Sequence, residues 1–121
     1  MRAFALAVFF ALSVIPASAM GLCGSGPRSN CVVDGDTFWW RGEKIRIVEL
    51  DAPEIGEPAC AAELEIGLRS RDELLSLINV GTVRFERFGL DVYGRTLASI
   101  TVNGQDVAHT MIEAGVAQAL R

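Results

Sequence analysis

The chain has 121 residues, half of which are apolar, and it carries a formal net charge of −4 at neutral pH. This length suits a single domain, and the high apolar content excludes a disordered tail. The acidic balance argues against a protein that holds nucleic acid along an extended basic track, so any binding of phosphate has to come from a few arginines in suitable positions.

The beginning of the chain has the layout of a cleavable signal peptide. Arg2 precedes the apolar run 3–15, Pro16 ends that run, and residues 17–19 (Ala-Ser-Ala) have the small side chains of a cleavage site. A membrane anchor is the alternative, but the run is shorter than the roughly 20 residues that a spanning helix needs. We expect residues 1–19 to be removed and the mature chain to be secreted or periplasmic, without attachment to a membrane.

The elements that follow predict one small domain. Residues 20–30 are rich in glycine, serine and proline and are interpreted as a leader or loop before the folded domain 31–121. Patterns of β-forming residues and of helical periodicity predict five strands and two helices in that domain. The predicted strands are 31–34, 37–40, 43–50, 82–88 and 95–102, and the predicted helices are 59–79 and 106–114. This order indicates a mainly β member of the α+β class, a small barrel with helices over its open parts.

Alternation along the strands assigns side chains to faces. In the third predicted strand, Arg46 and Leu50 fall on one face and Ile47 on the other. Trp39 and Trp40 are neighbours, so at most one of them can join a given surface. Stacking on a nucleotide base is one interpretation of these tryptophans. We favour packing in or against the core.

The three cysteines lie beyond the cleavage site, where an oxidising compartment favours a disulfide and an odd count leaves one thiol over. A zinc site is excluded because the only histidine, His109, lies far from the cysteines and the ligand count is too low. A bond between Cys31 and Cys60 would tie the first predicted strand to the start of the long helix, and we predict this pairing. The alternative is Cys23 with Cys31, which closes a smaller loop.

Three polar clusters interrupt the apolar strands at their ends or turns, where binding groups collect. They are residues 34–37 (Asp-Gly-Asp-Thr), Arg46 together with 51–54 (Asp-Ala-Pro-Glu), and 91–95 (Asp-Val-Tyr-Gly-Arg). Each has an ordinary structural explanation when taken singly: a turn, the start of a helix, or solvated arginines. Taken together, they contain the groups that hydrolysis of a phosphodiester requires.

The chemistry of these groups is complementary. Asp36 and Asp51 offer hard oxygen atoms, which suit a divalent cation such as Ca²⁺. Glu54 is in a position to take a proton from a water molecule. Arg46 and Arg95 can each make paired hydrogen bonds to a phosphate and offset the charge that builds up in the transition state.

The segments VVDGDTFWW, KIRIVELDAPE, DVYGRTLASI and NGQDVAHTMIEAGVA, in this order, resemble the successive motifs of the staphylococcal nuclease (thermonuclease) family. The resemblance runs from about residue 31 to residue 117. It implies a five-stranded OB-fold barrel with two helices. It also implies hydrolysis of DNA and/or RNA with one Ca²⁺ ion.

Carried over residue by residue, the resemblance assigns a metal site. Asp36 and Asp51 are implied as ligands through their carboxylates, and Ala52 through its main-chain carbonyl. The best-known member of the family has a threonine in place of Ala52, a change that a main-chain ligand tolerates. Asp34 matches an acidic position next to these ligands.

The same resemblance assigns the reacting groups. Glu54 is implied as the general base, and Arg46 and Arg95 as the residues that hold the scissile phosphate. Tyr93 falls in the loop that contacts the nucleotide.

Three functions remain open at this stage. The first is an exported, monomeric, Ca²⁺-dependent nuclease acting on nucleic acid. The second is a non-catalytic OB-type module that binds nucleic acid or a protein. The third is a phosphodiesterase with another substrate. The presence of both arginines and all the acidic residues favours an enzyme, and the acidic net charge argues against a pure nucleic-acid binder.

Overall fold

The computed structural model describes residues 19–120, so most of the predicted signal peptide, residues 1–18, and Arg121 lie outside the described residues. Short and long strand segments and two helices follow one another in this part of the chain. In chain order they are β1 (Gly21–Leu22), β2 (Cys31–Asp34), β3 (Thr37–Trp40), β4 (Glu43–Ile47), β5 (Leu50–Asp51), α1 (Ala61–Asn79), β6 (Val83–Leu90), β7 (Thr96–Val102), β8 (Gln105–Asp106), α2 (Val107–Glu113) and β9 (Gln118–Ala119).

Most of the strands form one sheet in the order β1-β2-β3-β4-β7-β6, with β8 paired to β7. β2, β3 and β4 are antiparallel neighbours, and β4 then pairs in parallel with β7. The turn between β3 and β4 has positive φ at Arg41 (48°) and Gly42 (82°), as a tight two-residue hairpin requires. A mostly β sheet with two helices confirms the predicted α+β, OB-like fold class. Within residues 19–120, no hydrogen-bonded pair joins β1 to β6, so strand pairing does not close the predicted barrel.

The core lies between the inner face of the sheet and the two helices. β7 alternates strictly, so that Ala98 and Ile100 are fully buried while the residues between them are half-buried. α1 adds Leu74 and Ile78 from a face that repeats with the period of a helix, and α2 adds Met111. Neither helix of the described part is both long and apolar enough to cross a membrane.

The region after β4 differs from the prediction of one strand over 43–50. β4 ends at Ile47, residues 48–49 form a turn, and Leu50 begins β5 fully buried. The prediction that Leu50 shares the face of Arg46 is therefore wrong. The physical reason is Arg46 itself, because its Nη1 donates to the carbonyl oxygens of Ile47 (2.6 Å) and Leu50 (2.7 Å) and thereby binds across the turn that resets the alternation.

The segment before β2 is not a loop outside the fold. Gly21 and Leu22 pair in parallel with β2. The side chain of Met20 is buried in the core, and its main chain is held by Asn79 through hydrogen bonds of 2.9 Å in both directions. The interpretation of residues 20–30 as a leader or loop therefore does not hold for their first residues, which belong to the packed domain.

The disulfide joins Cys23 to Cys31, and Cys60 is an exposed free thiol next to the start of α1. The predicted pairing of Cys31 with Cys60 is wrong, and the alternative pairing is the one formed. The reason is the parallel pairing of β1 with β2, which is extended by the bond from the N–H of Cys23 to the carbonyl of Val32 (2.9 Å). It brings the Cα atoms of Cys23 and Cys31 within 4.8 Å.

Removal of this disulfide should destabilise the domain. The bond spans a sequence separation of 8 residues, and a loop of this length contributes about 2–3 kcal/mol on the loop-entropy description. We expect Cys23→Ser to lower the free energy of unfolding in urea by that amount. The control Cys60→Ser removes an exposed thiol and should leave the unfolding free energy unchanged. Peptide mapping under non-reducing conditions that found Cys31 linked to Cys60 would contradict this prediction.

Candidate active site

The turn between β2 and β3 carries two acidic residues that face different partners. Asp36 is buried, with an exposed fraction of 8%. Its Oδ1 accepts a hydrogen bond from the hydroxyl of Thr37 (2.9 Å), and its Oδ2 accepts one from the N–H of Ala52 (3.0 Å). Asp34 accepts a bond from the N–H of Asp36 (3.2 Å), which closes the turn. The carboxylate of Asp36 thus links the first polar cluster of the sequence to the second.

Arg46 lies beside this carboxylate. Its Nη1 is 3.5 Å from Oδ2 of Asp36, and only 14% of the side chain is exposed. The same Nη1 donates to the two carbonyl oxygens of the turn after β4. All of these contacts use one of the three guanidinium nitrogens, so the arginine is fixed in position from one edge of its planar group.

Negative charge is concentrated at this turn. Burial, followed by the hydrogen bond and charge of Asp36 and by the charge of Glu54, raises the pKa of Asp34 to about 7, although the main-chain hydrogen bond from Asp36 acts in the opposite direction. Asp36 and Glu54 are thus the two charged groups whose repulsion opposes ionisation of Asp34. Arg46 brings a positive charge to this turn, because its guanidinium forms an ion pair with Asp36.

A cleft of about 410 Å³ opens next to these residues. One wall is the end of β5 together with the segment that follows it, which carry the exposed carboxylates of Asp51 and Glu54. The other walls come from α1, through Glu63 and Ile66, and from residues 115–118. The cleft is therefore open, mixed in polarity and acidic on two sides.

Arg95 belongs to a second cluster, in the hairpin between β6 and β7. Asp91 accepts hydrogen bonds from the N–H of Tyr93 (2.9 Å), from the N–H of Arg95 (2.9 Å) and from its Nε (2.7 Å). Partial burial opposes ionisation of Asp91, but these bonds outweigh it and hold the pKa of Asp91 below its usual value. The guanidinium of Arg95 also lies 5.3 Å from the ring centroid of Tyr93. The hairpin thus fixes Arg95 through its Nε edge and presents Tyr93 to solvent, 80% exposed.

The structure brings most of the predicted site residues together in the first cluster. Contacts or charge interactions link Asp34, Asp36, Arg46, Ala52 and Glu54, and Asp51 shares the cleft with the last two. No hydrogen bond or ion pair of residues 19–120 joins the hairpin cluster of Arg95 to them. No three acidic, histidine or cysteine side chains of the described part form a ready-made metal cluster. The roles of these residues in catalysis and metal binding stay predictions.

The sequence analysis missed an apolar surface on the same hairpin. Phe88, Leu90 and Val92 are 55%, 71% and 93% exposed, next to the exposed Tyr93. β6 continues to Leu90 through an irregularity between Arg87 and Gly89, where the prediction had ended the strand. Gly89 inside a strand pattern was the available signal, since an interior glycine often marks a bulge.

The aromatic and histidine residues weighed in the sequence take ordinary positions. Trp40 packs against Phe85, with ring centroids 5.1 Å apart at the edge of the core, as we favoured. Trp39 lies under the ammonium group of Lys44. His109 is exposed on α2 and pairs with Glu113.

Comparison with known proteins places the chain in a family. The model of the family described as staphylococcal nuclease homologue matches residues 44–121, which include Arg46, Glu54 and Arg95. A protein of Haemophilus influenzae described as an uncharacterized endonuclease is 32% identical over 95 residues, or 74% of this chain and 49% of the relative. The chain therefore spans about half the length of this curated relative. Because the family match covers more than half of the sequence, the chain belongs to the staphylococcal nuclease homologue family.

Proposed function

We propose that the chain is an exported, monomeric, Ca²⁺-dependent nuclease that hydrolyses phosphodiester bonds of DNA and/or RNA. One observation carries the proposal. In a member of a nuclease family, Asp36 is in direct contact with both Ala52 and Arg46, beside the cleft lined by Asp51 and Glu54. Two polar motifs that are separate in the sequence, residues 34–37 and Arg46 with residues 51–54, are thus joined through a single carboxylate.

The donor set fits a hard cation. The groups that would hold it are the carboxylates of Asp36 and Asp51 and the carbonyl of Ala52, all of them oxygens, which Ca²⁺ prefers to nitrogen or sulfur. The charges of Asp36 and Glu54 both oppose ionisation of Asp34, so a cation nearby would relieve an excess of negative charge. A bound Ca²⁺ ion supplies positive charge that attracts a phosphate oxygen and stabilises negative charge in the transition state.

The remaining steps use side chains of this chain. Glu54 is exposed on the wall of the cleft, where its carboxylate can accept a proton from an attacking water molecule. Arg46 keeps one edge of its guanidinium free of the contacts described above, and Arg95 is held through its Nε alone. Each has N–H groups left to donate to a phosphate. Because water itself attacks the phosphorus atom and the P–O bond to the leaving oxygen breaks, no covalent intermediate with the protein is needed.

The nature of the substrate is supported by the hairpin. A base that belongs to the nucleotide held by Arg95 can stack on the exposed ring of Tyr93. The acidic net charge makes long-range attraction to nucleic acid weak, so short-range contacts of this kind have to supply affinity.

Export is supported by the layout of residues 1–19 and by the disulfide between Cys23 and Cys31, since disulfides persist in oxidising compartments.

A cleavage assay on the oxidised, exported protein tests the proposed function. We expect Ca²⁺ to support cleavage of DNA or RNA and EDTA to abolish it, because the ligand oxygens alone cannot stabilise the transition state. Asp36→Ala and Asp51→Ala should raise the Ca²⁺ concentration needed for half-maximal rate. The matched control is Asp72→Ala, which removes an exposed aspartate of α1.

The outcomes separate the three functions. Full cleavage in EDTA would contradict the metal dependence. Binding of an oligonucleotide without cleavage under any metal condition would favour the non-catalytic module. Cleavage of bis(p-nitrophenyl) phosphate without cleavage of nucleic acid would favour a phosphodiesterase with another substrate.

A further inference from the structure

We infer that Ser70 of α1 is a positioning residue for the candidate active site. By direct packing against Gly35, it sets the position of the Asp34–Asp36 turn, and with it the contact between Asp36 and Ala52. The inference rests on the proposed function for its catalytic consequence, but the geometry that it concerns can be measured independently.

The first observation is the absence of space at Gly35. A Cβ atom placed on Gly35 would overlap the hydroxyl oxygen of Ser70 and would lie only 2.8 Å from the Cβ atoms of both Ser70 and Ala52. Gly35 is not in the left-handed region of φ, so close approach and not backbone conformation is what requires glycine here. Three chain segments therefore meet at one contact: the turn after β2, the segment after β5, and α1.

The second observation is the state of the Ser70 hydroxyl. Ser70 is fully buried, and its Oγ has no hydrogen-bond partner among the described residues. A buried hydroxyl without a partner is unfavourable for stability, and alanine at this position of a helix would avoid the penalty. The oxygen of Ser70 lies against the site turn at Gly35, so the hydroxyl contributes to the position of this turn and not to the stability of the core.

The same face of α1 also supports the second acidic segment. A Cβ on Gly67 would lie 3.0 Å from the carbonyl oxygen of Pro53 and 3.4 Å from that of Glu54. Gly67 and Ser70 are three residues apart and share the buried face of the helix. α1 is thus a common support against which both carboxylate-bearing segments are placed.

The link from Ser70 to the chemistry is short. Gly35 lies between Asp34 and Asp36, and Oδ2 of Asp36 accepts the hydrogen bond from the N–H of Ala52. A larger side chain at either side of the Gly35–Ser70 contact would move the turn away from α1 and lengthen this bond. Misplacement of reacting groups by about 1 Å can lower a rate on the order of 10²-fold.

The first test is the variant Ser70→Thr, which adds one methyl group at the contact. We expect kcat to fall, with KM little changed, because the turn moves and the substrate contacts of the hairpin do not. Hydrogen exchange at the N–H of Ala52 should become faster, since its bond to Asp36 is weakened. The matched control is Ser76→Thr, the same change at an exposed position of α1, which should alter neither quantity.

The second test is suppression. Gly35→Ala should lower kcat on the order of 10²-fold. Gly35→Ala combined with Ser70→Gly should recover part of that loss, because the Ser70 atoms that overlap the new methyl group are removed while the Cβ of Ala52 remains. Gly35→Ala combined with Ser76→Gly introduces the same helix-weakening glycine without opening the contact and should recover nothing.

Two results would overturn the inference. One is unchanged kcat and unchanged Ala52 exchange in Ser70→Thr, and the other is equal recovery in the Ser70→Gly and Ser76→Gly pairs. If the wild type cleaves no nucleic acid, the proposed function fails. Exchange at Ala52 still decides whether Ser70 positions the turn.

Discussion

Replacement of Glu54 by glutamine is expected to lower the turnover number on the order of 10²–10⁴-fold, the range that general base catalysis supplies. Glutamine keeps the size of the side chain but cannot take a proton from water. Glu54 is exposed on the wall of the cleft, so its replacement removes no core contact and the fold should be retained. The measurement is kcat under saturating substrate and Ca²⁺, together with a thermal melt of each protein.

A neighbouring glutamate provides the control for this prediction. Glu57 is exposed in the same segment and lies outside the lining of the cleft. Glu57→Gln makes the same change in charge, so it should leave kcat close to that of the wild type. A turnover number unchanged in Glu54→Gln, or equally reduced in Glu57→Gln, would remove Glu54 from the role of base.

Replacement of Arg95 by lysine is expected to lower kcat on the order of 10²–10³-fold, the loss found when one preorganised donor to the transition state is removed. A lysine ammonium keeps the charge but cannot donate along two parallel directions to a phosphate while also holding Asp91. The bond from the Arg95 N–H to Asp91 involves the main chain and remains, so the hairpin should keep its turn. Steady-state kinetics on a defined oligonucleotide would measure this change.

Lysine variants of two other arginines provide comparisons for the loss of kcat expected in Arg95→Lys. Arg84 is exposed on β6, and Arg84→Lys should leave kcat unchanged. Arg46→Lys should lower both the rate and the free energy of unfolding, because Arg46 also donates to the carbonyls of Ile47 and Leu50. Wild-type kinetics in Arg95→Lys would show that the hairpin cluster takes no part in the reaction.

The amino-acid sequence by itself determined the features that depend on near neighbours. Runs of β-forming residues predicted β2, β3 and β7 at nearly their observed bounds, and helical periodicity predicted α1. Turn chemistry at Arg41 and Gly42 set the hairpin between β3 and β4. The order of the polar motifs also predicted the family, which the match over residues 44–121 confirms. These signals are readable because each is fixed by steric or solvation preferences within a few residues.

Part of the candidate site was also predictable in this way. The acidic and arginine motifs identified residues of suitable chemistry, and the first cluster gathers Asp36, Arg46, Ala52 and Glu54 in one place. Their catalytic roles stay predictions. The contact of Ser70 with the site turn was not predictable from the sequence. Ser70 belongs to no recognisable motif, and it reaches the turn only because α1 packs on Gly35.

Only the tertiary structure decided which distant residues meet. The disulfide partner of Cys31 depends on the parallel pairing of β1 with β2, a choice that cysteine spacing leaves open. Leu50 is buried because a turn held by Arg46 interrupts the alternation, and Met20 joins the core through Asn79, far along the chain. Each of these outcomes depends on the difference in free energy between folds that make alternative long-range contacts. Local propensity is nearly the same for the competing arrangements, so the packing of the whole domain selects among them.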